Sequence, residues 1–460
     1  MQKQISIKLL PSEAGNDQII RSLIASSSGS TLNQVTGYSI IKRSIDARGK
    51  QPWILLTLLA FIDEPYISRQ TTHINFPDVS RSAHTVIIVG AGPAGSTCAI
   101  TLKNSGLKVA LLDKASFPRD KICGDAVSSV AKRILRQIDP KLETDLLDFA
   151  PKTNITQAKL YSPNFKSLSF SFSKTGHCIR RQDFDNWLFN IAKQNPDNEI
   201  IQNCKVKDVK TYDDFAEVLL DDGTTIKGKV IVGCDGAHSV VAKKLNNFKV
   251  DRKHYSGAVR QYYRNIKGLE GNALEVYFLK GYLPGYFWIF PLSNNEANVG
   301  FGMLSDTIAK NKIDLKESLN EINNNIPEVH ERFKDATALE DVKGFGLPLG
   351  SKKYNISGHR FMLCGDAASL IDPFSGEGIE TAMESGKFAA EQILKSFANN
   401  NFSANTLKAY DERVYKKMWG NFKNHYYLQR LLSDRVGLIN TLINIGNIPW
   451  VNKKITKMFY

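Results

Sequence analysis

Apolar residues recur at helical spacing near the end of the stretch GDAASLIDPFSGEGIETAMESG (Gly365–Gly386) and beyond it. Ile379, Ala382, Met383, Gly386, Ala389, Ala390, Ile393, Leu394 and Phe397 all fall on one face of a predicted helix. That helix starts on Gly376 and Gly378, shortly after a proline. Glycine costs about 1 kcal/mol relative to alanine inside a helix, so bare backbone at this point calls for a reason. Upstream, GYFWIFPL follows a strand rhythm, with Tyr286, Trp288 and Phe290 on one face and Phe287 and Ile289 on the other.

The same rhythms divide the chain. Residues 1–68 read as strand, helix and two strands, a small ferredoxin-like α+β module, and residues 69–84 as a polar linker. An α/β region runs over 85–400, with strand-rich insertions near 155–180 and 250–350, and residues 401–460 are helical, basic and amphipathic. The longest apolar run, PWILLTLLAFI (Pro52–Ile62), is too short to span a bilayer and reads as a buried strand.

TVIIVGAGPAGSTCAITLKNSGLKVALLDK joins a strand, a glycine turn, a helix and a second strand. Gly90, Gly92 and Gly95 form G-x-G-x-x-G in the context that brings backbone N–H groups to a pyrophosphate at a helix N-terminus, with Ala94 in the same turn. Asp113, followed by Lys114, closes the second strand, where an acid bonds the adenosine ribose. An acid there favours FAD or NAD over NADP. Two further strands, in KVIVGCDGAHSVV and RFMLCGDAASL, end in Asp235-Gly236 and Gly365-Asp366. Each sets a carboxylate at a strand's C-terminal end, where open α/β sheets bind ligands.

In this order the motifs resemble the p-hydroxybenzoate-hydroxylase-like flavoproteins, and CIRRQDFDNWLFNIA adds their R-x-x-F-D element through Arg181 and Asp185. The resemblance implies an FAD site in which Asp366 holds the ribityl chain and Asp235 lies by the pyrophosphate. It also explains the glycines. Gly376, Gly378 and Ile379 open the helix that points at the pyrimidine end of the flavin, whose reduced anion the helix half-charge stabilises. Glu377 fits poorly beside that anion unless it turns outward or shares a proton. One departure is Ala242, where an arginine often stands.

PFSGEGIETAMESGKFAAE, FPRDKICGDAVSS and EVYFLKGYLPGYFWIFPLSNNEANVGFG resemble the geranylgeranyl reductase family over about residues 84–400. That likeness implies Cys123 and Gly124 near the flavin, and Tyr286 and Trp288 lining a cavity for an isoprenoid or isoprenoid-lipid substrate. The implied reaction is saturation of C=C bonds by hydride from reduced flavin, with NAD(P)H or reduced ferredoxin as electron donor. Cys123 is the candidate proton donor, alongside a bound water. The N-terminal segment resembles the front of a separate group of bacterial FAD-dependent dehydrogenases. The expected architecture is a Rossmann-like FAD-binding domain with an inserted antiparallel-sheet substrate domain, the N-terminal module and C-terminal helices.

Composition adds partners and place. A net charge of +14 favours acidic surfaces or ligands; an anionic membrane is the candidate, nucleic acid is not expected, and the oligomeric state stays open. The six cysteines form no C-x-x-C pair, which argues against zinc or a disulfide framework and for a reducing, cytoplasmic setting. No metal is expected. The tail, rich in Lys, Arg, Trp419, Tyr426, Tyr427 and leucines, suits either packing on the FAD domain or peripheral contact with the inner membrane face. Two other readings use the same motifs: a flavin monooxygenase or halogenase, and a non-catalytic FAD-binding, membrane-associated protein.

Overall fold

The structure, a computed structural model, describes residues 1–49, 51–66 and 85–458. The expected linker, 69–84, lies outside the described residues. The chain divides into two compact units, residues 1–75 and 76–460.

In the first unit, strands Gln2–Leu9, Val35–Asp46 and Trp53–Ile62 form an antiparallel sheet with the third strand in the centre. The apolar run therefore becomes a central strand, paired on both edges. Helix Asp17–Ser28 packs Ile20 and Ile24 into the core of this unit with Ile5, Ile7, Leu56 and Leu58. Asn16 caps it by accepting from the N–H groups of Gln18 and Ile19, and Gly29 ends it at φ 76°. A full ferredoxin-like fold repeats its β-α-β motif; the described residues of this unit supply three strands and one helix.

The second unit is built on a six-stranded sheet in the order Ser357–Gly358, Phe361–Leu363, Val230–Gly233, Val86–Val89, Val109–Leu112, Asn198–Ile201. All its pairings are parallel except that of the short edge strand Ser357–Gly358. The continuous apolar runs are explained by burial on both faces: Val86–Val89, Val109–Leu112, Val230–Gly233 and Phe361–Leu363 are buried at every position. The parallel direction brings Gly90, Asp113, Asp235 and Asp366 to one edge.

The two strand-rich insertions, with the short edge strand Ala126–Val127, form a single second sheet of nine strands. The sheet is antiparallel except at one seam, where Ala273–Tyr277 runs parallel to Thr153–Tyr161 and joins the later insertion to the earlier one. The seam strands come from distant parts of the chain, so no hairpin forces them antiparallel. Strand Tyr286–Leu292 sits inside this sheet between Glu296–Leu304 and Ala273–Tyr277. Phe287 and Ile289 enter the sheet's core cluster with Val299 and Phe301. Tyr286, Trp288 and Phe290 face the other way, into a cavity.

The helix Ile379–Ala398 is buried at most of its positions and lies against Pro93–Thr101. A Cβ on Gly386 would stand 2.2 Å from the Ala94 carbonyl oxygen, so only glycine admits this approach. Helices Ala404–Leu432, Val436–Gly446 and Pro449–Met458 complete the chain.

Candidate active site

A cavity of about 1700 Å³ runs from the C-terminal edge of the parallel sheet to the aromatic face of the second sheet. Gly90, Gly92, Ala94, Asp113, Lys114, Cys123, Gly124, Arg181, Asp235, Gly236, Tyr286, Trp288, Asp366, Gly376, Gly378 and Ile379 line it. Gly95 is not in the wall. It lies inside the helix, where a Cβ would meet the Gly90 carbonyl oxygen at 1.8 Å, so its part is to let the helix close on the loop.

The glycine loop has the shape of a cradle. Gly90 takes φ 102° and passes so close to Cys234 that a Cβ would lie 2.3 Å from its carbonyl oxygen. At Gly92 the only neighbour of a Cβ among the described residues is Arg119 Nη2, at 3.4 Å, and the position opens on the cavity. Gly92 also leaves the helix Pro93–Thr101 without a side-chain cap, and Gly378 does the same for Ile379–Ala398. Two helix starts with uncapped N–H groups thus meet one cavity, an arrangement suited to a pyrophosphate and to an anionic ring system. The residues present fit FAD: the loop and Arg119 for the pyrophosphate, and the Gly376–Gly378 turn for the flavin.

The three strand-end acids differ in what they have free. Asp113, 7% exposed, accepts the N–H of Ala91 and of Ala115, each at 2.9 Å, and so ties the glycine loop to its own strand. Asp235 is consumed locally by the Ser239 hydroxyl at 2.5 Å and the Val240 N–H at 2.6 Å. Burial pushes its carboxyl up despite these bonds. It fixes the turn into the following helix and offers the cavity chiefly backbone. Asp366 faces Gly378, with Oδ1 3.7 Å from where a Cβ would stand.

Arg181 is 6% exposed and makes a two-pronged ion pair with Asp185, both contacts at 2.7 Å. Asp185, and Cys123 nearby, push its guanidinium up despite burial. Sequence reasoning missed what holds the Cys123 loop. Asp125 sits at φ 65° and is fully buried. Its Oδ2 accepts from Tyr262 at 2.7 Å and Asn298 at 2.8 Å, and its Oδ1 from the Arg181 N–H at 3.2 Å. Burial nevertheless pushes its carboxyl up to about 6. Asn298 also donates to the Cys123 carbonyl at 2.7 Å and accepts from Trp288 Nε1 at 2.9 Å. The one available signal was the pairing of polar Asn298 with the aromatic strand inside an otherwise apolar run.

Tyr286 crosses to the helix-start turn, its hydroxyl donating to the Ser375 carbonyl at 2.6 Å. Gly376, at φ 74°, sits directly beneath: a Cβ there would lie 2.8 Å from the Tyr286 oxygen. Burial and the carboxylates of Glu377 and Asp372 push the Tyr286 phenol up, so it stays protonated. Glu377 lines the cavity and is exposed there, and the neighbouring acids Glu380 and Asp372 push its carboxyl up, to about 8.

Beyond the aromatic strand the wall turns apolar, with Leu160 and Phe170 from the second sheet and Phe278 and Leu283 from the connection between its strands Ala273–Tyr277 and Tyr286–Leu292. Leu428, Leu432 and Ile439 of the C-terminal helices close it. Those helices are part of the site; their helical spacing alone gave no sign of it. Among the described residues no cluster of His, Cys, Asp and Glu is arranged to hold a metal ion, all six cysteines are free, and no helix is long and apolar enough to cross a membrane.

These features are those of an FAD-dependent oxidoreductase, and a family model described as an FAD binding domain matches residues 83–424. The menaquinone reductase of Mycolicibacterium smegmatis is 32% identical over 69% of this chain and 78% of its own. The digeranylgeranylglycerophospholipid reductase of Methanococcus vannielii is 28% identical over 78% of this chain and 90% of its own. The chain belongs to the geranylgeranyl reductase family of FAD-dependent oxidoreductases. In fold it resembles a geranylgeranyl bacteriochlorophyll reductase-like protein of Thermoplasma acidophilum, with TM-score 0.68, 22% identity, and coverage of 79% of this chain and 91% of that one. A flavin-dependent brominase shares the fold at TM-score 0.67 and 22% identity, covering 82% of this chain and 93% of its own. Residues 1–61 match a separate domain of unknown function.

Proposed function

We propose that this protein reduces C=C bonds in the isoprenoid chain of a lipid or quinone. The observation that carries the reading is the continuity of the cavity, from the glycine cradle past Tyr286 and Trp288 into an apolar channel closed by Leu432 and Ile439. A polar substrate has few partners at that far end. A hydrocarbon chain gains roughly 0.8 kcal/mol for each methylene buried there. Relatives named for menaquinone and digeranylgeranylglycerophospholipid support the class, since both molecules carry isoprenoid chains.

FAD, when bound and reduced, supplies hydride. An isolated alkene has no carbonyl to polarise, so this chain's residues act by placing the double bond, excluding water and supplying a proton. Trp288 and Phe290 form the wall against which the chain lies. The Asn298–Asp125 link keeps Cys123 and Gly124 at one side of the reacting space, near Arg181. Tyr286 holds the Gly376 turn at the other.

A lipid substrate must come from a membrane, and peripheral docking is part of the proposal. Leu442, Ile445, Ile448 and Trp450 are exposed on the terminal helices, beside exposed Lys453 and Lys454. Mass spectrometry of lipids copurifying with the protein tests the substrate class: polyisoprenoid lipids or quinones are expected, and a consistent absence of any isoprenoid would count against it.

A further inference from the structure

Three carboxylates crowd the turn into the helix Ile379–Ala398, and each is held differently. Asp372 is buried and fully engaged: Oδ1 accepts the N–H groups of Phe374 and Ser375 at 2.9 Å, and Oδ2 meets His425 Nδ1 at 2.6 Å. Glu380 is 5% exposed; its Oε1 accepts the Ser128 N–H at 2.5 Å, and its Oε2 has no hydrogen-bond partner among the described residues. Of the three, only Glu377 lines the cavity. It stands between Gly376 and Gly378, near enough for its charge to act on the Tyr286 phenol.

We propose that Glu377 is the acid that protonates the substrate alkene, a role that rests on the reductase reading above. The balance is simple. Hydride from the reduced flavin forms one C–H bond and leaves the flavin oxidised by two electrons. The π pair of the alkene forms the second C–H bond with the Glu377 proton, its O–H bond breaks, and a carboxylate remains to be reprotonated from solvent.

Geometry selects Glu377 over its neighbours. Asp372 has both oxygens occupied, and Glu380 is not in the cavity wall and gives its Oε1 to the Ser128 N–H. The Tyr286 hydroxyl is committed to Ser375. A helix start ordinarily favours a carboxylate, but at Glu377, exposed on the cavity wall, the neighbouring acids Glu380 and Asp372 push the carboxyl up, to about 8. The groups facing this cluster are Asp372, Glu380 and Tyr286, then His425 through Asp372 and Arg181 beside Glu380. His425 borders the cavity with its side chain 40% exposed, which gives Asp372 and the turn a contact with solvent for proton return.

The test uses the holoenzyme with Glu377→Gln, Glu377→Asp and Cys123→Ala. Reduced chemically and mixed anaerobically with a geranylgeranyl lipid, Glu377→Gln should reoxidise ~100-fold more slowly or worse, within the range for loss of a general acid. Glu377→Asp should recover part of the rate. The wild-type rate should fall above about pH 8 while that of Glu377→Gln stays flat. A second readout needs no substrate: the midpoint potential of the bound flavin should bend near pH 8 in the wild type and not in Glu377→Gln. A Glu377→Gln rate within threefold of wild type, with the same pH profile, would overturn the donor role alone, the more so if Cys123→Ala is the slow variant. A potential that shows no bend in the wild type would overturn the protonated state. A wild type that reduces no isoprenoid, yet shows the bend, would overturn the reductase reading and the donor role with it.

Discussion

The indole N–H of Trp288 donates to Asn298 Oδ1 at 2.9 Å, and the same amide passes its own hydrogens to Asp125 and to the Cys123 carbonyl. The aromatic wall and the cysteine loop are therefore one mechanical unit. Trp288 contributes both a flat apolar face to the cavity and a fixed position for the loop opposite.

Trp288→Phe separates the two contributions. It keeps a ring against the substrate but strands the Asn298 oxygen, and an unsatisfied buried acceptor costs about 1–3 kcal/mol. Thermal unfolding should show a loss of that size. Alkene reduction in a stopped-flow trace should slow about tenfold, as expected for a misplacement short of losing a reacting group, and the purified variant should remain yellow. A variant with wild-type stability and rate would show that the link is incidental.

Asp125 makes stability depend on pH. Its folded carboxyl is raised from 3.8 to about 6 by burial, so between those values the folded state binds more protons than the unfolded one. Its contribution is full below about pH 3.8, falls as pH rises to about 6 and stays low above. The loss is on the order of 3 kcal/mol at most, at 1.36 kcal/mol per pKa unit. Denaturant titrations of wild type and Asp125→Asn across this window should differ in slope, the wild type losing more on going to neutral pH.

Two glycines of one motif should fail in different ways. Gly92→Val fills the cradle, where a Cβ meets only the end of Arg119 at 3.4 Å, so the protein should fold normally and purify colourless. Gly95→Val drives a side chain into the Gly90 carbonyl oxygen, 1.8 Å from its Cβ, and should destabilise the fold itself. Circular dichroism melts together with flavin absorbance distinguish the two.

The βαβ loop and the acid-ended strands were legible because their chemistry is local: glycine where backbone must turn or approach, and an acid where a parallel strand stops. The strand Tyr286–Leu292 was legible in its two faces because side chains alternate by geometry. Asp125 and Asn298 were not. They stand 173 residues apart, and their pairing follows from the register of a sheet assembled from two separate insertions. The parallel seam of that sheet was hidden for the same reason. In the terminal helices, apolar residues on two faces read alike whether they cover a cavity or a membrane. The structure puts Ile439 and Ile443 inward with Leu283 and Phe170, while Leu442 and Ile445 face outward.

That division decides how membrane docking must be tested. Truncation after Arg430 would remove Leu432 and Ile439 from the cavity wall. Serine at Leu442, Ile445 and Trp450 together touches only exposed positions. This triple variant should bind anionic liposomes several-fold more weakly in sedimentation, and wild-type binding should weaken with salt because part of the attraction is Coulombic. Undiminished binding would move the contact elsewhere on the basic surface.

Reductive chemistry at the cavity is most directly tested by anaerobic mixing of the chemically reduced wild-type holoenzyme with a geranylgeranyl lipid, following flavin absorbance and lipid mass together. The expected result is reoxidation of the flavin without oxygen and a chain heavier by two hydrogens for each flavin oxidised. Stable reduced flavin and an unaltered lipid, followed by hydroxylated or halogenated product once oxygen is admitted, would contradict it.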